Sequence, residues 1–311
     1  MKKPAALKEG DLITFISPSS KPFDMERIPR AVSYFEKKGY QVLVGKNVGK
    51  ESGYLAGNDT ERIDDIRQAF SNKQVKAVFC LRGGYGAPRL LKKLPYEKIS
   101  GQARIFSGYS DITSLQMAFY TQSKFITFAG PMPAVDFHSE VDPVTEASFF
   151  RAITSGEKNL DILGEFPAHE AEFIGKGTAE GRLIGGNLAL LTALAGSKYL
   201  PDFREKILFI EDVGEKPYRI DRMLNQFELM GELKKLNAII LGQFTDCEEE
   251  PDKPTLSIEE VFERYIYKLK IPVIRNFPHG HIKKNITLPV GAKVRIDFSK
   301  KKFTALEKVV S

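Results

Sequence analysis

Ser110 is the residue whose surroundings best suit nucleophilic chemistry. It follows the predicted short strand 104–107 and precedes a segment in which Ile112, Leu115 and Phe119 have helical spacing. An abrupt turn from strand to helix lifts a hydroxyl clear of the sheet and points the first free amides of the helix at whatever the hydroxyl attacks. The alternative is that Ser110 or Asp111 only caps this helix, because serine and aspartate are preferred N-cap residues.

A serine hydroxyl becomes a good nucleophile only when a base takes its proton and an acid orients that base. Histidines cluster only at His279 and His281, and Glu211 stands at the end of the apolar stretch 206–210. The two histidines also raise the question of zinc, but no helical or cysteine-based ligand motif accompanies them. Ser110, Glu211 and His281 make chemical sense together, although spacing along the chain does not establish proximity.

The segment Arg82-Gly-Gly-Tyr-Gly86 follows a predicted strand and has two readings. It resembles part of a nucleotide-binding turn, which would favour a nucleotide-dependent oxidoreductase. However, it lacks the three-glycine spacing and the ribose-binding acid expected about 20 residues further on. Its glycines also permit close approach of the backbone to a ligand, with amides free to donate, as an oxyanion hole requires.

These candidate residues need elements to position them, and the first half of the chain predicts such a frame. Apolar stretches that suit buried strands alternate with segments of helical periodicity. The predicted strands are 12–17, 42–44, 75–81, 104–107 and 125–128. This alternation predicts an α/β fold with a parallel, doubly wound sheet. Ligands bind such sheets beyond the carboxyl ends of the strands, where Arg82 and Ser110 both fall.

The rhythm of the sequence changes after about Pro133, and the second half predicts a mixed α+β domain. We expect a first domain at 1–135 that carries the nucleophile and an interdomain connection at 136–180. We expect a smaller second domain at 181–311 that carries the Glu and His of the triad.

Composition excludes several classes of protein. The net charge of +6 is small for 311 residues, and the basic residues are interleaved with acidic ones, so no nucleic-acid partner is predicted. No apolar stretch has the length of a signal peptide core or a membrane span, so no membrane partner is predicted. Two distant cysteines make no disulfide framework. We expect a soluble, cytoplasmic protein.

Short motifs along the chain carry a resemblance to a known family. They are Gly53-Tyr-Leu-Ala-Gly57, Arg82-Gly-Gly-Tyr-Gly86, Gly108-Tyr-Ser-Asp111, Gly130-Pro-Met132, Gly185-Gly-Asn187, Ile210-Glu-Asp-Val-Gly214, Tyr218-Arg-Ile-Asp221, Gly280-His281 and Leu288-Pro-Val-Gly291. In these motifs, and in their order from about Gly10 to Gly291, the sequence resembles the LD-carboxypeptidase serine peptidases. These include the muramoyltetrapeptide carboxypeptidases.

The resemblance implies a catalytic triad of Ser110, Glu211 and His281, and an oxyanion hole that we assign to the backbone amides of Gly84 and Asp111. It implies a Rossmann-like N-terminal domain, a smaller β-rich C-terminal domain, and a homodimer. It implies no metal and no cofactor. The expected substrate is a murein tetrapeptide or a related small peptide, cut at the L-to-D bond before the terminal D-alanine during peptidoglycan recycling.

The resemblance leaves two alternatives for the function. Related family members hydrolyse a microcin-type aminoacyl-adenylate mimic and confer self-immunity, and they stack its adenine on aromatic residues that include tryptophan. This chain has no Trp, but its 11 Tyr and 22 Phe residues offer other rings for stacking. A non-catalytic muropeptide-binding protein of the same fold is the other alternative, and the intact Ser110, Glu211 and His281 argue against it.

Arg82 is the predicted substrate-binding residue. A carboxypeptidase has to recognise a free carboxylate beside the scissile bond, and a planar guanidinium group holds a carboxylate through two hydrogen bonds. Arg82 immediately precedes the glycines expected to line the oxyanion hole. The alternative is a structural ion pair that braces this loop, because such pairs also occur near functional sites.

Overall fold

The chain forms two β-sheets with helices packed against them. The computed structural model describes residues 1–248 and 254–311. The strands are β1 (Leu12–Ile16), β2 (Gln41–Val44), β3 (Val75–Cys80), β4 (Ile105–Gly108), β5 (Thr127–Ala129), β6 (Leu160–Asp161), β7 (Glu172–Ile174), β8 (Thr178–Asn187), β9 (Lys206–Val213), β10 (Ala238–Thr245), β11 (Val273–Arg275), β12 (Leu288–Val290), β13 (Lys293–Asp297) and β14 (Lys302–Ala305). The α-helices are α1 (Arg27–Lys37), α2 (Asp59–Ser71), α3 (Tyr96–Gly101), α4 (Thr113–Ala118), α5 (Pro133–Asp136), α6 (Pro143–Thr154), α7 (Leu188–Ala193), α8 (Pro217–Leu229) and α9 (Ile258–Tyr265).

The first sheet has the strand order β12-β5-β4-β3-β1-β2. Strands β1 to β5 pair in parallel throughout. Strands β1 and β3 are buried along almost their whole length, which explains their unbroken apolar sequences. The connections change direction between β1 and β3, and this is where doubly wound sheets bind their ligands. The predicted α/β fold with a doubly wound parallel sheet is confirmed.

The second sheet is larger and mixed, with the order β6-β14-β13-β8-β9-β10-β11-β7. Strands β8 to β11 are parallel, whereas the strands on either side of them pair antiparallel. The predicted mixed, β-rich second half is therefore confirmed. Its central strand β9 ends with Glu211, Asp212 and Val213, so the parallel strands bring these residues to one edge of the sheet.

Strand β8 is the element that the sequence disguises most. Its last four residues are Ile184, Gly185, Gly186 and Asn187. Glycine and asparagine are depleted in strands, so this sequence does not indicate one. The structure gives the glycines a packing reason. A Cβ atom on Gly185 would lie 1.9 Å from the carbonyl oxygen of Phe209 on the neighbouring strand. Only a residue without a side chain allows this approach, and its φ of +141° is also one that glycine tolerates.

The two sheets share chain segments rather than dividing the sequence cleanly. Strand β12 comes late in the chain but pairs antiparallel with β5, so it forms one edge of the first sheet. Strands β6 and β7 come from the segment 136–180 and form the two edges of the second sheet. The division at 1–135, 136–180 and 181–311 stays a prediction.

A cluster of phenylalanine rings ties the segment after β5 to the first sheet. Phe35 of α1 packs on Phe79 of β3 and on Phe137, with ring centroids 5.4 and 5.0 Å apart. Phe149 of α6 packs on Phe79 at 5.3 Å. Such aromatic pairs contribute ~0.5–1.5 kcal/mol each beyond the burial of their area. Helices α5 and α6 therefore belong to the covering layer of this sheet. No helix in residues 1–248 and 254–311 is long and apolar enough to cross a membrane.

Candidate active site

Ser110 occupies a strained turn between β4 and α4. Its φ is +63°, in the left-handed region that costs a non-glycine residue on the order of 1–3 kcal/mol. A single turn of 3₁₀-helix, Ser110–Ile112, joins it to α4. Gly108 lets this turn sit tightly, because a Cβ atom there would lie 3.0 Å from the Ile112 side chain. The abrupt elbow that the sequence predicts is present, and strain of this kind is typical of functional sites.

The glycine loop after β3 lies directly against this elbow. A Cβ atom on Gly83 would lie 2.8 Å from Cβ and 3.0 Å from Oγ of Ser110, and 3.4 Å from the amide nitrogen of Asp111. The neighbouring Gly84, with φ +105°, packs on Ser20. Within residues 1–248 and 254–311, the backbone N–H of Gly84 donates no hydrogen bond. The oxyanion hole at Gly84 and Asp111 stays a prediction, and Gly83 is a contact of Ser110 that the sequence did not single out.

The side chain of Asp111 fixes the loop to the elbow. The residue is 1% exposed, and its Oδ2 accepts a hydrogen bond of 2.7 Å from the amide of Ala87. Burial raises the pKa of this carboxyl, while the hydrogen bond from Ala87 opposes that shift. The Asp111 side chain therefore braces the turn, separately from any role of its backbone amide.

Glu211 and His281 form a buried pair. His281 Nδ1 lies 2.8 Å from Glu211 Oε2, and the Glu211 side chain is 1% exposed against 22% for His281. Two glycines make room for the carboxyl group. A Cβ atom on Gly280 would lie 3.2 Å from Glu211 Oε2, and one on Gly242 would lie 3.2 Å from Glu211 Cβ. With Nδ1 engaged by the acid, Nε2 is the ring nitrogen that remains for proton transfer.

The charges around His281 favour its protonated form. Burial by itself lowers the pKa of His281, but the hydrogen bond and charge of Glu211 outweigh it, with help from Asp212 and Asp136, so the net pKa is raised. Burial raises the pKa of Asp212 to about 6 and that of Asp136 to about 7. The ring of Tyr109 covers His281 edge-to-face at 5.1 Å, so an aromatic wall shields the imidazole.

His279 has a different place. It is 1% exposed, and its Nδ1 lies 2.8 Å from the carbonyl oxygen of Ile286. Burial lowers its pKa, as expected for an imidazole held neutral in a packed environment. Among the described residues, no group of three or more His, Cys, Asp or Glu side chains is arranged to hold a metal ion.

Ser110 and His281 line one cleft of about 370 Å³, together with Gly83, Gly84 and Arg82. The remaining lining residues are mostly apolar and include Tyr109, Met132 and Val213. No hydrogen bond joins Ser110 to His281 within the described chain. Catalytic hydrogen bonds are often long before substrate binds, so the absence of a hydrogen bond between Ser110 and His281 in these described residues is compatible with proton transfer between them. A cavity of about 440 Å³ beside α8, lined by Lys216 and Tyr218 among others, holds neither group.

Arg82 lies in this cleft without an acidic partner. Its Nη1 donates to the carbonyl of Lys21 at 3.0 Å, and its guanidinium group lies 3.5 Å from the centre of the Phe23 ring. No ion pair of Arg82 is present in the described residues. The alternative of a bracing ion pair therefore has no support, whereas the role of carboxylate anchor stays a prediction. Arg27 also lines the cleft, although no motif in the sequence singles it out.

Comparison with known proteins matches both halves of the chain to one family. Residues 13–130 match the model of the LD-carboxypeptidase N-terminal domain, and residues 180–296 match that of the LD-carboxypeptidase C-terminal domain. The chain belongs to the LD-carboxypeptidase family. The resemblance inferred from the sequence motifs is thereby confirmed.

Three relatives show the range of proteins that this chain resembles. The probable murein peptide carboxypeptidase of Bacillus subtilis is 38% identical, covering 96% of this chain and 92% of that protein. The muramoyltetrapeptide carboxypeptidase of Oxalobacter formigenes has a solved structure with a TM-score of 0.82 and 32% identity, covering 94% and 97% of the two chains. The microcin C7 self-immunity protein MccF of Escherichia coli is 31% identical over 99% of this chain and 96% of that protein. A structure of MccF in complex with aspartyl sulfamoyl adenosine has a TM-score of 0.90 and 29% identity over the whole of both chains.

Proposed function

We propose that this protein is a serine-type LD-carboxypeptidase that removes the terminal D-alanine from murein tetrapeptides. The observation that carries the proposal is the cleft in which a strained serine, Ser110, faces an imidazole, His281, held by a buried carboxylate, Glu211. This is the arrangement of nucleophile, base and orienting acid that acyl transfer requires. Relatives named as murein peptide and muramoyltetrapeptide carboxypeptidases support the choice of substrate.

In the proposed mechanism, Ser110 Oγ attacks the carbonyl carbon before the terminal D-alanine while His281 Nε2 takes the hydroxyl proton. Glu211 stabilises the imidazolium ion that forms. Backbone amides at Gly84 and Asp111 stabilise the oxyanion, which such donors do best where their positions are fixed in advance. His281 then returns the proton to the leaving amine, and a water molecule activated by the same imidazole releases the shortened peptide from Ser110.

The decisive experiment is to incubate the purified protein with a murein tetrapeptide and to resolve tetrapeptide from tripeptide by mass. We expect release of D-alanine by the wild type, and a loss of turnover of roughly 10³-fold or more in Ser110→Ala. Ser114→Ala is a matched control, because Ser114 lies one helical turn further on and is 0% exposed. Retention of most of the turnover in Ser110→Ala would refute the assignment of the nucleophile.

A second candidate function is hydrolysis of a microcin-type aminoacyl-adenylate mimic. The observation that favours it is the likeness over the full chain to MccF in complex with aspartyl sulfamoyl adenosine. The same Ser110 and His281 would serve this reaction, so only the substrate distinguishes the two functions. Parallel assays with a murein tetrapeptide and with aspartyl sulfamoyl adenosine compare them directly, and we expect the larger kcat/KM for the tetrapeptide.

The third candidate is a non-catalytic muropeptide-binding protein. It predicts binding of the tetrapeptide by the wild type with no product after long incubation.

We also propose a cytoplasmic homodimer that acts on peptides recycled from the cell wall. Light scattering of the purified protein tests the dimer, and cell fractionation tests the location.

A further inference from the structure

Two arginine side chains face the candidate active-site cleft without a neutralising acid. Arg27 and Arg82 both line it together with Ser110. In the described part of the chain, neither guanidinium group forms an ion pair. Burial lowers the pKa of Arg82, and the positive charge of Arg27 lowers it further, so the two cations repel each other across the cleft. Unneutralised cations in a partly buried site favour an anionic ligand.

Arg82 is held ready for such a ligand. Phe23 covers one face of its guanidinium group, and the carbonyl of Lys21 accepts from Nη1. These contacts fix the plane of the group while leaving its other N–H donors free of protein acceptors. A guanidinium edge fixed in this way matches the two oxygens of a carboxylate, and less side-chain entropy is lost on binding.

Arg27 reaches the cleft from a different element. It is the first residue of α1, and its Nη1 makes only a long contact of 3.5 Å with the carbonyl of Ala134. Asp24 and Glu26, the acids nearest to it in sequence, are exposed and do not pair with it. A cation that has acids next to it in sequence yet turns toward a cleft is unlike an ordinary solvated helix residue.

We propose that Arg27 and Arg82 together bind the terminal carboxylate of the peptide substrate, with Arg82 as the bidentate partner and Arg27 as the second cation. The proposal deepens the proposed function and rests on it for the identity of the peptide. It makes Arg27 a specificity-determining residue that favours substrates with a free C-terminal carboxylate over their amides.

The first test compares kcat/KM for a free murein tetrapeptide with kcat/KM for the same peptide amidated at its C-terminus. We expect Arg27→Gln and Arg82→Gln each to reduce cleavage of the free peptide by roughly 10- to 100-fold, since hydrogen bonds to charged groups contribute that much. We expect a change of less than about threefold on the amide. Arg27→Lys, which keeps the charge, should recover part of the loss.

Arg30→Gln is the matched control, because Arg30 lies on the same helix one turn away, is exposed, and does not line the cleft. It removes the same charge and should leave both substrates unchanged within about threefold, which accounts for long-range electrostatic effects. Equal losses on free and amidated peptide in Arg27→Gln would overturn the proposal. So would equal effects of Arg27→Gln and Arg30→Gln.

A binding measurement separates this proposal from the proposed function. N-acetyl-D-alanine should raise the melting temperature of the wild-type protein more than N-acetyl-D-alaninamide does, and Arg27→Gln should abolish the difference. This readout needs no cleavage. If the wild type cleaves no tetrapeptide but shows the difference, the proposed function fails and the anion site stands. If it cleaves the tetrapeptide but shows no difference in binding, the assignment of Arg27 and Arg82 as the carboxylate site is wrong.

Discussion

The charge state of His281 depends on the carboxylates around it, above all Glu211. In the proposed mechanism the imidazole has to be neutral to accept the proton of Ser110. Because its pKa is raised, we expect activity to fall as the pH drops through a value above the usual 6.5. The acid limb of the pH profile therefore reports on the Glu211–His281 hydrogen bond of 2.8 Å.

For Glu211→Gln we expect kcat to fall on the order of 10³- to 10⁴-fold, as in other triads that lose the orienting acid. Because the amide removes the charge that raises the pKa of His281, the acid limb of kcat/KM should also move to lower pH. The measurement is the pH dependence of kcat/KM between pH 5 and 9 for both proteins. An acid limb that stays in place would mean that another group controls it.

The contact of Gly83 with Ser110 leads to a second prediction about a single residue. A methyl group there would press on Ser110, because the Cβ position lies 2.8 Å from Ser110 Cβ. We expect Gly83→Ala to reduce kcat/KM about 100-fold, since small displacements of reacting groups are costly, and to cost ~1–3 kcal/mol of unfolding free energy. Gly101→Ala is the control, because nothing lies within 4 Å of its Cβ position. Similar activity in the two variants would contradict the contact.

The sequence revealed some of these residues and concealed others. Ser110 and Glu211 follow apolar strands, so parallel-sheet topology alone places them at strand ends. Arg27 was missed because a helix that begins with arginine reads as a solvated surface, and only the packing of α1 beside α5 turns it toward the cleft. Gly83 was passed over in favour of Gly84 because the conformation of a glycine loop cannot be deduced from its composition.

At the scale of elements, the helix after the elbow is fastened to the second sheet. Thr113 of α4 is 1% exposed, and its Oγ1 accepts a hydrogen bond of 3.0 Å from the amide of Asn187 at the end of β8. The Asn187 side chain donates to Asp212 at 2.8 Å, next to Glu211 on β9. The contact therefore connects the helix behind Ser110 with β9, the strand that carries Glu211.

Thr113→Val tests this connection, because valine keeps the shape and removes the hydroxyl. Leaving the buried backbone N–H of Asn187 without an acceptor should cost ~1–3 kcal/mol of unfolding free energy, measured by urea titration. We also expect kcat to fall more than KM rises, since Thr113 does not line the cleft and its contact positions the proposed catalytic groups. Thr113→Ser retains the acceptor and should stay near the wild type. Equal behaviour of the valine and serine variants would show that the hydroxyl is dispensable.

The limits of prediction at this scale were set by long-range pairing. Strands β1 and β3 were evident as apolar runs, because burial on both faces leaves a continuous signal. Strand β8 was hidden because its glycines allow the backbone of the neighbouring strand to approach closely, and glycine does not indicate a strand. Strand β12 was hidden because a three-residue Leu-Pro-Val segment has no periodicity, and its partner β5 lies far away in sequence.

At the scale of the whole molecule, the first sheet depends on β12 to cover β5. We expect a fragment of residues 1–135 to self-associate, because without β12 the strand β5 presents unpaired backbone groups to solvent. Size-exclusion chromatography of the fragment beside the full chain measures this. A monomeric fragment that unfolds cooperatively would show that the first sheet is stable without its last strand.

The place of β12 in the chain also sets a timetable for biosynthesis. The ribosome adds roughly 160 residues between the end of β5 and the start of β12. At ~5–20 residues per second, that takes on the order of 10 s. Throughout that interval the nascent first sheet has an edge whose partner does not yet exist. The growing polypeptide is therefore a candidate for protection by ribosome-associated chaperones, and the cleft that Ser110 shares with His281 cannot form until residue 281 has been added.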